Sequence, residues 1–205
     1  MINPDRGEVL FDGAKIQDNS ATAKRHGLQL VFQDPISATN EHLTIEQTIS
    51  EPLLILQYES KEKRHDLMLQ ALKDVQLPAD AAFLARKCHM LSGSQRQRVA
   101  IARALVMEPK LLIADEISAM LDPSTQANIL SLLKGLQNSK GFAMLYITHD
   151  LALAQKIADT VYVLYRGKII EQGLAADIFS NPQNSYTQKL VRAEVFLTHS
   201  LHTPL

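Results

Sequence analysis

Two adjacent acids close the apolar run Leu111-Leu112-Ile113-Ala114-Asp115-Glu116. An apolar strand ending in Asp-Glu sets two carboxylates at the carboxyl edge of a parallel sheet, where such sheets place their ligands. One acid of such a pair can organise Mg2+, usually through water, and the next can polarise an attacking water. Two solvated acids at a strand end would read the same way. Ser92-Gly93-Ser94-Gln95 opens a run rich in Arg and Ala. Ser92 can cap a helix there, and small residues let a phosphate reach the free backbone N–H groups at a helix start. An ordinary N-cap uses the same residues. Gln33 leaves the strand Leu28–Phe32 just before Asp34-Pro35, and its amide oxygen can reach a metal or a water. His149 follows Leu145–Thr148 at another strand end, where a lone histidine is more often structural or solvated. Asp150 either orients it or caps the helix that follows. Each feature alone is weak; four in this order on one scaffold are hard to explain independently.

That scaffold is read from periodicity. Glu8–Asp12 predicts a short strand closed by Gly13, and Gly27–Phe32 a buried one. From Leu43 to about Phe83 the period becomes helical, through Ile45, Ile49, Leu53 and Leu56, and then Leu67, Leu69, Leu72 and Val75. Two or three helices are expected there, broken near Pro52 and Pro78, with a charged turn at Glu59–Arg64. After Leu91 the pattern is βα alternation. Helices are expected at Gln95–Val106, Pro123–Leu136 and Leu151–Ile157, and strands at Leu111–Ala114 and Ala143–Ile147. Val161–Tyr165 and Lys168–Glu171 form a hairpin around Arg166-Gly167, read as the only strong turn signal of that kind. Ala176–Phe179 and Tyr186–Val195 close the chain as helices, and Phe196–Leu205 shows no pattern. The alternation predicts a mostly parallel sheet covered on both faces.

Composition bounds the function classes. The 205 residues are 46% hydrophobic and 21% charged, an ordinary globular mix with material for a sizeable core. Net charge is −1, so no bulk attraction to nucleic acid or anionic membrane is expected. The single cysteine, Cys88, excludes an internal disulfide and fits a reducing compartment. The first residues carry no apolar h-region, so no signal peptide is expected. No apolar stretch approaches the ~20 residues that span a bilayer, so a membrane role requires a partner.

Together these motifs resemble the ATPase subunit of ATP-binding cassette (ABC) transporters from Glu8 to about Ala193. Val31-Phe32-Gln33-Asp34-Pro35 resembles the Q-loop. Leu91–Gln95 resembles the signature, with Ser94 where glycine is usual. Leu111–Glu116 is similar to Walker B plus the catalytic glutamate. Ala119-Met120-Leu121-Asp122 is similar to the D-loop, with Ala119 for the common serine. Ile147-Thr148-His149-Asp150 resembles the switch histidine. Ser50-Glu51-Pro52-Leu53 and Asn181-Pro182…Tyr186-Thr187 are similar to the oligopeptide, dipeptide and nickel importer group. There, Lys87-Cys88-His89-Met90 departs from the usual Tyr-Pro-His-Glu and loses one proposed acidic contact to the membrane subunit.

The resemblance implies an α/β fold of the P-loop NTPase (RecA-like) class with an inserted helical subdomain. It divides the chain into an ATPase-core remnant at 1–33, the helical subdomain at 34–90, the core at 91–195 and a tail at 196–205. It implies ATP and Mg2+ as cofactors. Glu116 would polarise water, and His149 would hold the γ-phosphate and that water. Gln33 and Asp115 would serve Mg2+. Ser92, Gly93, Ser94 and Gln95 would face a nucleotide held by a second ABC ATPase subunit, homo- or heterodimeric, and Asp122 would link the two sites. Integral-membrane permease subunits would insert a helix between the sheet and the Leu43–Phe83 helices. An extracytoplasmic substrate-binding protein would be an indirect partner, and nucleic acid none. The protein would sit on the cytoplasmic inner face of the cell membrane.

The phosphate loop G-x-x-x-x-G-K-S/T occurs nowhere in the 205 residues. The resemblance aligns Met1-Ile2-Asn3-Pro4 just past the helix that follows this loop, so an N-terminally truncated cassette is expected. The loop supplies backbone donors and a lysine to the phosphates. Losing three hydrogen bonds to charged groups would weaken binding by roughly 4–9 kcal/mol. The missing strand and helix would also leave apolar faces of neighbouring strands without partners. The expected function is an ATP-hydrolysing subunit of an ABC importer for peptides or nickel, incomplete as it stands. The alternatives are a non-catalytic regulatory or docking module, or a half-site partner of an intact ABC ATPase. A translation or DNA-repair ABC ATPase is disfavoured, since neither tandem cassettes nor long coiled insertions occur.

Overall fold

The computed structural model describes residues 4–16, 27–34, 40, 42–57, 60–117 and 119–200, with side chains described through residue 193. Pro35 and Glu59 therefore lie outside the described residues, as do the last five residues of the expected tail. The chain divides into two compact units, Met1–Ile147 and Thr148–Leu205.

In the first unit, β1 (Leu10–Phe11) and β2 (Ala14–Lys15) form a two-residue hairpin. Its turn residues Asp12 and Gly13 both have positive φ, 54° and 76°. This corrects the expectation that Arg166-Gly167 is the only such turn. Asp-Gly is a preferred dipeptide for this geometry, but strands this short show no alternation to read. Phe11 also explains Gly27: a Cβ there would lie 2.6 Å from the ring.

β3 (Leu28–Val31), β4 (Leu111–Asp115) and β5 (Ala143–Ile147) form a parallel sheet in that order. Leu28, Leu111 and Ala143 stand in register, as do Val31, Ala114 and Tyr146. Between β3 and β4 lies the helical insert of α1 (Ile45–Ile55), α2 (Lys61–Asp74), the short α3 (Ala81–Leu84) and a 3-10 turn at Cys88–Met90. α4 (Gly93–Leu105) and α5 (Pro123–Lys140) flank β4 in sequence.

Pro52 does not break the insert; α1 runs through it. A proline inside a helix costs about 3 kcal/mol. Here Ile45, Ile49 and Leu53 are all 0% exposed on both sides of it, and that buried stripe outweighs the lost bond. The break comes at Gln57, at φ 50°. The expected charged turn is instead the first turn of α2: Ser60 caps the helix, its Oγ accepting the Lys63 amide at 3.2 Å.

Val31, Leu112 and Ala114 are buried in one core with the helices of the insert, α4 and α5, and Met144 and Tyr146 pack against it. The opposite face departs from expectation. Leu30, Phe32, Leu145 and Ile147 are 39–49% exposed, so among the described residues the sheet is covered on one face, not two.

In the second unit, α6 (Leu151–Ile157) precedes the antiparallel hairpin of β6 (Thr160–Tyr165) and β7 (Lys168–Leu174). Its turn is Arg166-Gly167, with φ 49° and 75°. α7 (Ala175–Ser180) and α8 (Ser185–Ser200) follow. α8 continues beyond the expected end at Val195. The Asn181-Pro182…Tyr186-Thr187 cue closes this unit. The Glu171 carboxylate accepts from the Gln183 amide at 2.6 Å and the Asn184 amide at 3.2 Å, and the Tyr165 and Tyr186 rings lie 4.1 Å apart.

Candidate functional site

Asp115 is the last residue of β4 and is half-buried, opposite Ile147 in register. Val31 pairs with Ala114, so two steps further Gln33 and Glu116 emerge from adjacent parallel strands at the same edge. Gln33 is exposed in a bend. Glu116 leaves the strand at φ 45°. Its amide donates to Ile147 O at 2.9 Å, and its carbonyl accepts from the Ala119 amide at 3.0 Å. Two backbone bonds thus pin the turn that presents the carboxylate. A non-glycine residue in this region is uncommon, and such outliers cluster at functional sites.

Ser92 is the N-cap of α4, with a complete capping box. Its Oγ accepts the Gln95 amide at 3.2 Å, and its amide donates to Gln95 Oε1 at 3.1 Å. Gly93, Ser94 and Gln95 form the first turn. The Ser92 and Ser94 hydroxyl oxygens lie 3.1 Å apart. Asp122 is the N-cap of α5, accepting from Ser124 Oγ at 2.6 Å and the Thr125 amide at 3.0 Å. The Ser124 hydroxyl first, then the Thr125 hydroxyl and amide, hold its carboxyl well below the usual carboxylate range. A Cβ placed on Gly93 would meet Leu121 Cδ2 at 3.6 Å, so the segment before α5 adjoins the start of α4.

The first unit therefore brings Gln33, Asp115 and Glu116 to one sheet edge, and sets Ser92, Gly93, Ser94 and Gln95 beside Leu121-Asp122. His149 belongs to the second unit, where it is exposed. Asp150 caps α6, its Oδ1 accepting the Leu153 amide at 2.9 Å, and its own amide donates to Thr148 Oγ1 at 3.0 Å. Of the two roles open to Asp150, capping is the one observed.

Among the described residues no three His, Cys, Asp or Glu side chains are grouped to hold a metal. Mg2+ does not need such a group: it keeps several waters and takes one or two protein carboxylates plus substrate phosphates. Asp115 with Gln33 fits that donor set, although a tight all-protein cage would not.

Sequence reasoning missed two features. The Ser92–Ser94 hydroxyl pair was readable only as a glycine replaced by serine. The Glu51–Arg103 ion pair, 2.7 Å, ties α1 to α4 and gives the Ser50-Glu51-Pro52-Leu53 cue a physical role.

A profile of the ABC transporter family matches residues 1–119. The dipeptide transport ATP-binding protein DppF of Haemophilus influenzae is 39% identical over 97% of this chain, which spans 61% of that relative's length. Among solved structures, cbiO1 of Clostridium perfringens, part of the transporter complex cbiONQ, matches with TM-score 0.78 and 29% identity. That match covers 100% of this chain and 76% of that one. A dimeric post-hydrolysis form of the cassette MJ0796 with ADP and Pi matches with TM-score 0.72 and 31% identity, covering 85% and 75% of the two chains.

Proposed function

The chain belongs to the ABC transporter family, and we propose that it is the ATP-hydrolysing subunit of an ABC import system of the peptide or nickel class. The observation that carries this reading is the pinned turn at the end of β4, which holds Glu116 beside Asp115 at the sheet edge. In this reading Glu116 polarises the attacking water, and His149 orients that water and the γ-phosphate. Asp115 and Gln33 would hold Mg2+, whose charge would screen the phosphates. Ser92, Gly93, Ser94 and Gln95 face the triphosphate gripped by a second ATPase subunit, and Asp122 faces the interface between the two. Permease subunits recruit the pair to the inner face of the membrane, and an extracytoplasmic binding protein delivers the substrate. The relative named for dipeptide transport supports the peptide class, and the dimeric cassette supports pairing of subunits.

The test is MgATP hydrolysis by this chain assembled with an intact cassette and its permease. Glu116→Gln should lower the rate of the site it serves by about 100-fold or more, and His149→Ala comparably. Rates unchanged by both substitutions would overturn the assignment. The 205-residue polypeptide alone, with no phosphate loop in its sequence, should hydrolyse ATP negligibly.

A further inference from the structure

We propose that Ser94 is a positioning residue that aims the Ser92 hydroxyl at the triphosphate of the opposing subunit. This rests on the reading above that the start of α4 faces that triphosphate. A hydroxyl offers one proton and two acceptor sites. The Gln95 amide occupies one acceptor site of Ser92 Oγ. Ser94 Oγ, 3.1 Å away, is within reach of the other. Either hydroxyl can donate in this pair; when Ser94 donates, the proton of Ser92 is the one part of that hydroxyl left for a group outside the chain. With glycine at 94, the same hydroxyl would be a free rotor. The accepted bonds also polarise Ser92 O–H and strengthen it as a donor, at the positive end of a 13-residue helix.

Gly93 keeps this edge open to a group from outside the chain. It is exposed, and a Cβ on it would meet only Leu121 Cδ2, at an ordinary 3.6 Å. Packing within the chain therefore does not demand glycine. Without a Cβ at position 93, the first amides of α4 are left unobstructed.

The experiment mixes the full 205-residue chain with an intact family cassette carrying G-x-x-x-x-G-K-S/T. The residue of that cassette aligned with Glu116 is replaced, so ATP persists. The readout is the MgATP concentration at half-maximal association, by analytical ultracentrifugation. Ser94→Gly and Ser94→Ala should raise it about three- to tenfold, the range of one neutral hydrogen bond. Ser94→Thr should restore it. Ser92→Ala should raise it at least as far. Because alanine is the better helix former, the thermal midpoint of Ser94→Ala should not fall, which separates aim from stability. Association at the wild-type MgATP concentration for Ser94→Gly and Ser94→Ala would overturn this inference alone. Failure of the wild-type chain to associate at any MgATP concentration would overturn the phosphate-facing reading, and this inference with it.

Discussion

Glu116 occupies a conformation in which a Cβ crowds the following carbonyl oxygen, at a cost of about 1–2 kcal/mol for a non-glycine residue. It is held there by the bonds to Ile147 O and from the Ala119 amide. The strain gives a stability signature separate from chemistry. Glu116→Gly and Glu116→Ala both remove the carboxylate, but only glycine relieves the backbone. Glycine should therefore be more stable than alanine by about 1 kcal/mol in urea unfolding, the reverse of their order in a helix. Equal stabilities, or alanine ahead, would show that the turn is not left-handed in solution. Ser92 and Asp122 carry a different complication. Both cap helices, so substituting either one removes a structural bond along with any contact to a ligand. This is why Ser94, which caps nothing, is the cleaner probe of the phosphate-facing edge.

At the level of elements, α5 contains a glycine in its interior that the fold does not require. Gly135 is exposed, and a Cβ on it would meet nothing within 4 Å. It opens onto a shallow recess of about 540 Å3 lined in part by Arg98, Asn128 and Ser131. Gly135→Ala should stabilise the first unit by about 1 kcal/mol, read as a shift of the denaturant midpoint at unchanged slope. A destabilisation would mean that the space is occupied in solution. The same element shows what sequence can and cannot deliver. Its start was legible because Asp122-Pro123 is a capping residue followed by proline at the first helical position. Its end, at Gly141 with φ 75°, lies one turn past the last apolar residue of the stripe, Leu136, so periodicity stopped short. α1 misled in the opposite direction. Pro52 is a local breaker, and only the tertiary burial of Ile45, Ile49 and Leu53 overrides it. The site followed the same division. Asp115, Glu116 and Ser92 could be picked out as candidates because each ends or begins an element, and Asp122 through its likeness to the D-loop. The Ser92–Ser94 spacing and the approach of Leu121 to Gly93 depend on side-chain placement that no spacing rule encodes.

Among the described residues, the three-stranded sheet of the first unit leaves one apolar face open. Phe32 follows β3, and Leu145 and Ile147 lie on β5, an outer strand of the described sheet. With Leu30 they present 39–49% exposed apolar side chains on one side. The buried side carries Val31, Leu112 and Ala114 in the core. β5 reads Ala-Met-Leu-Tyr-Ile, without the charge or proline that can blunt an edge. Burying such surface is favourable by about 25 cal/mol per Å2, so the free 205-residue polypeptide should self-associate as its concentration rises. Sedimentation should show this as a concentration-dependent shift, with enhanced fluorescence of a hydrophobic dye. Leu145→Lys places a charge on the exposed face and leaves the buried one intact. It should suppress both signals with little loss of folding stability, because a side chain already half in water has little burial to forfeit. If Leu145→Lys instead unfolds the chain, that face is packed in the native state. If association persists unchanged, the contact between copies lies elsewhere on the surface.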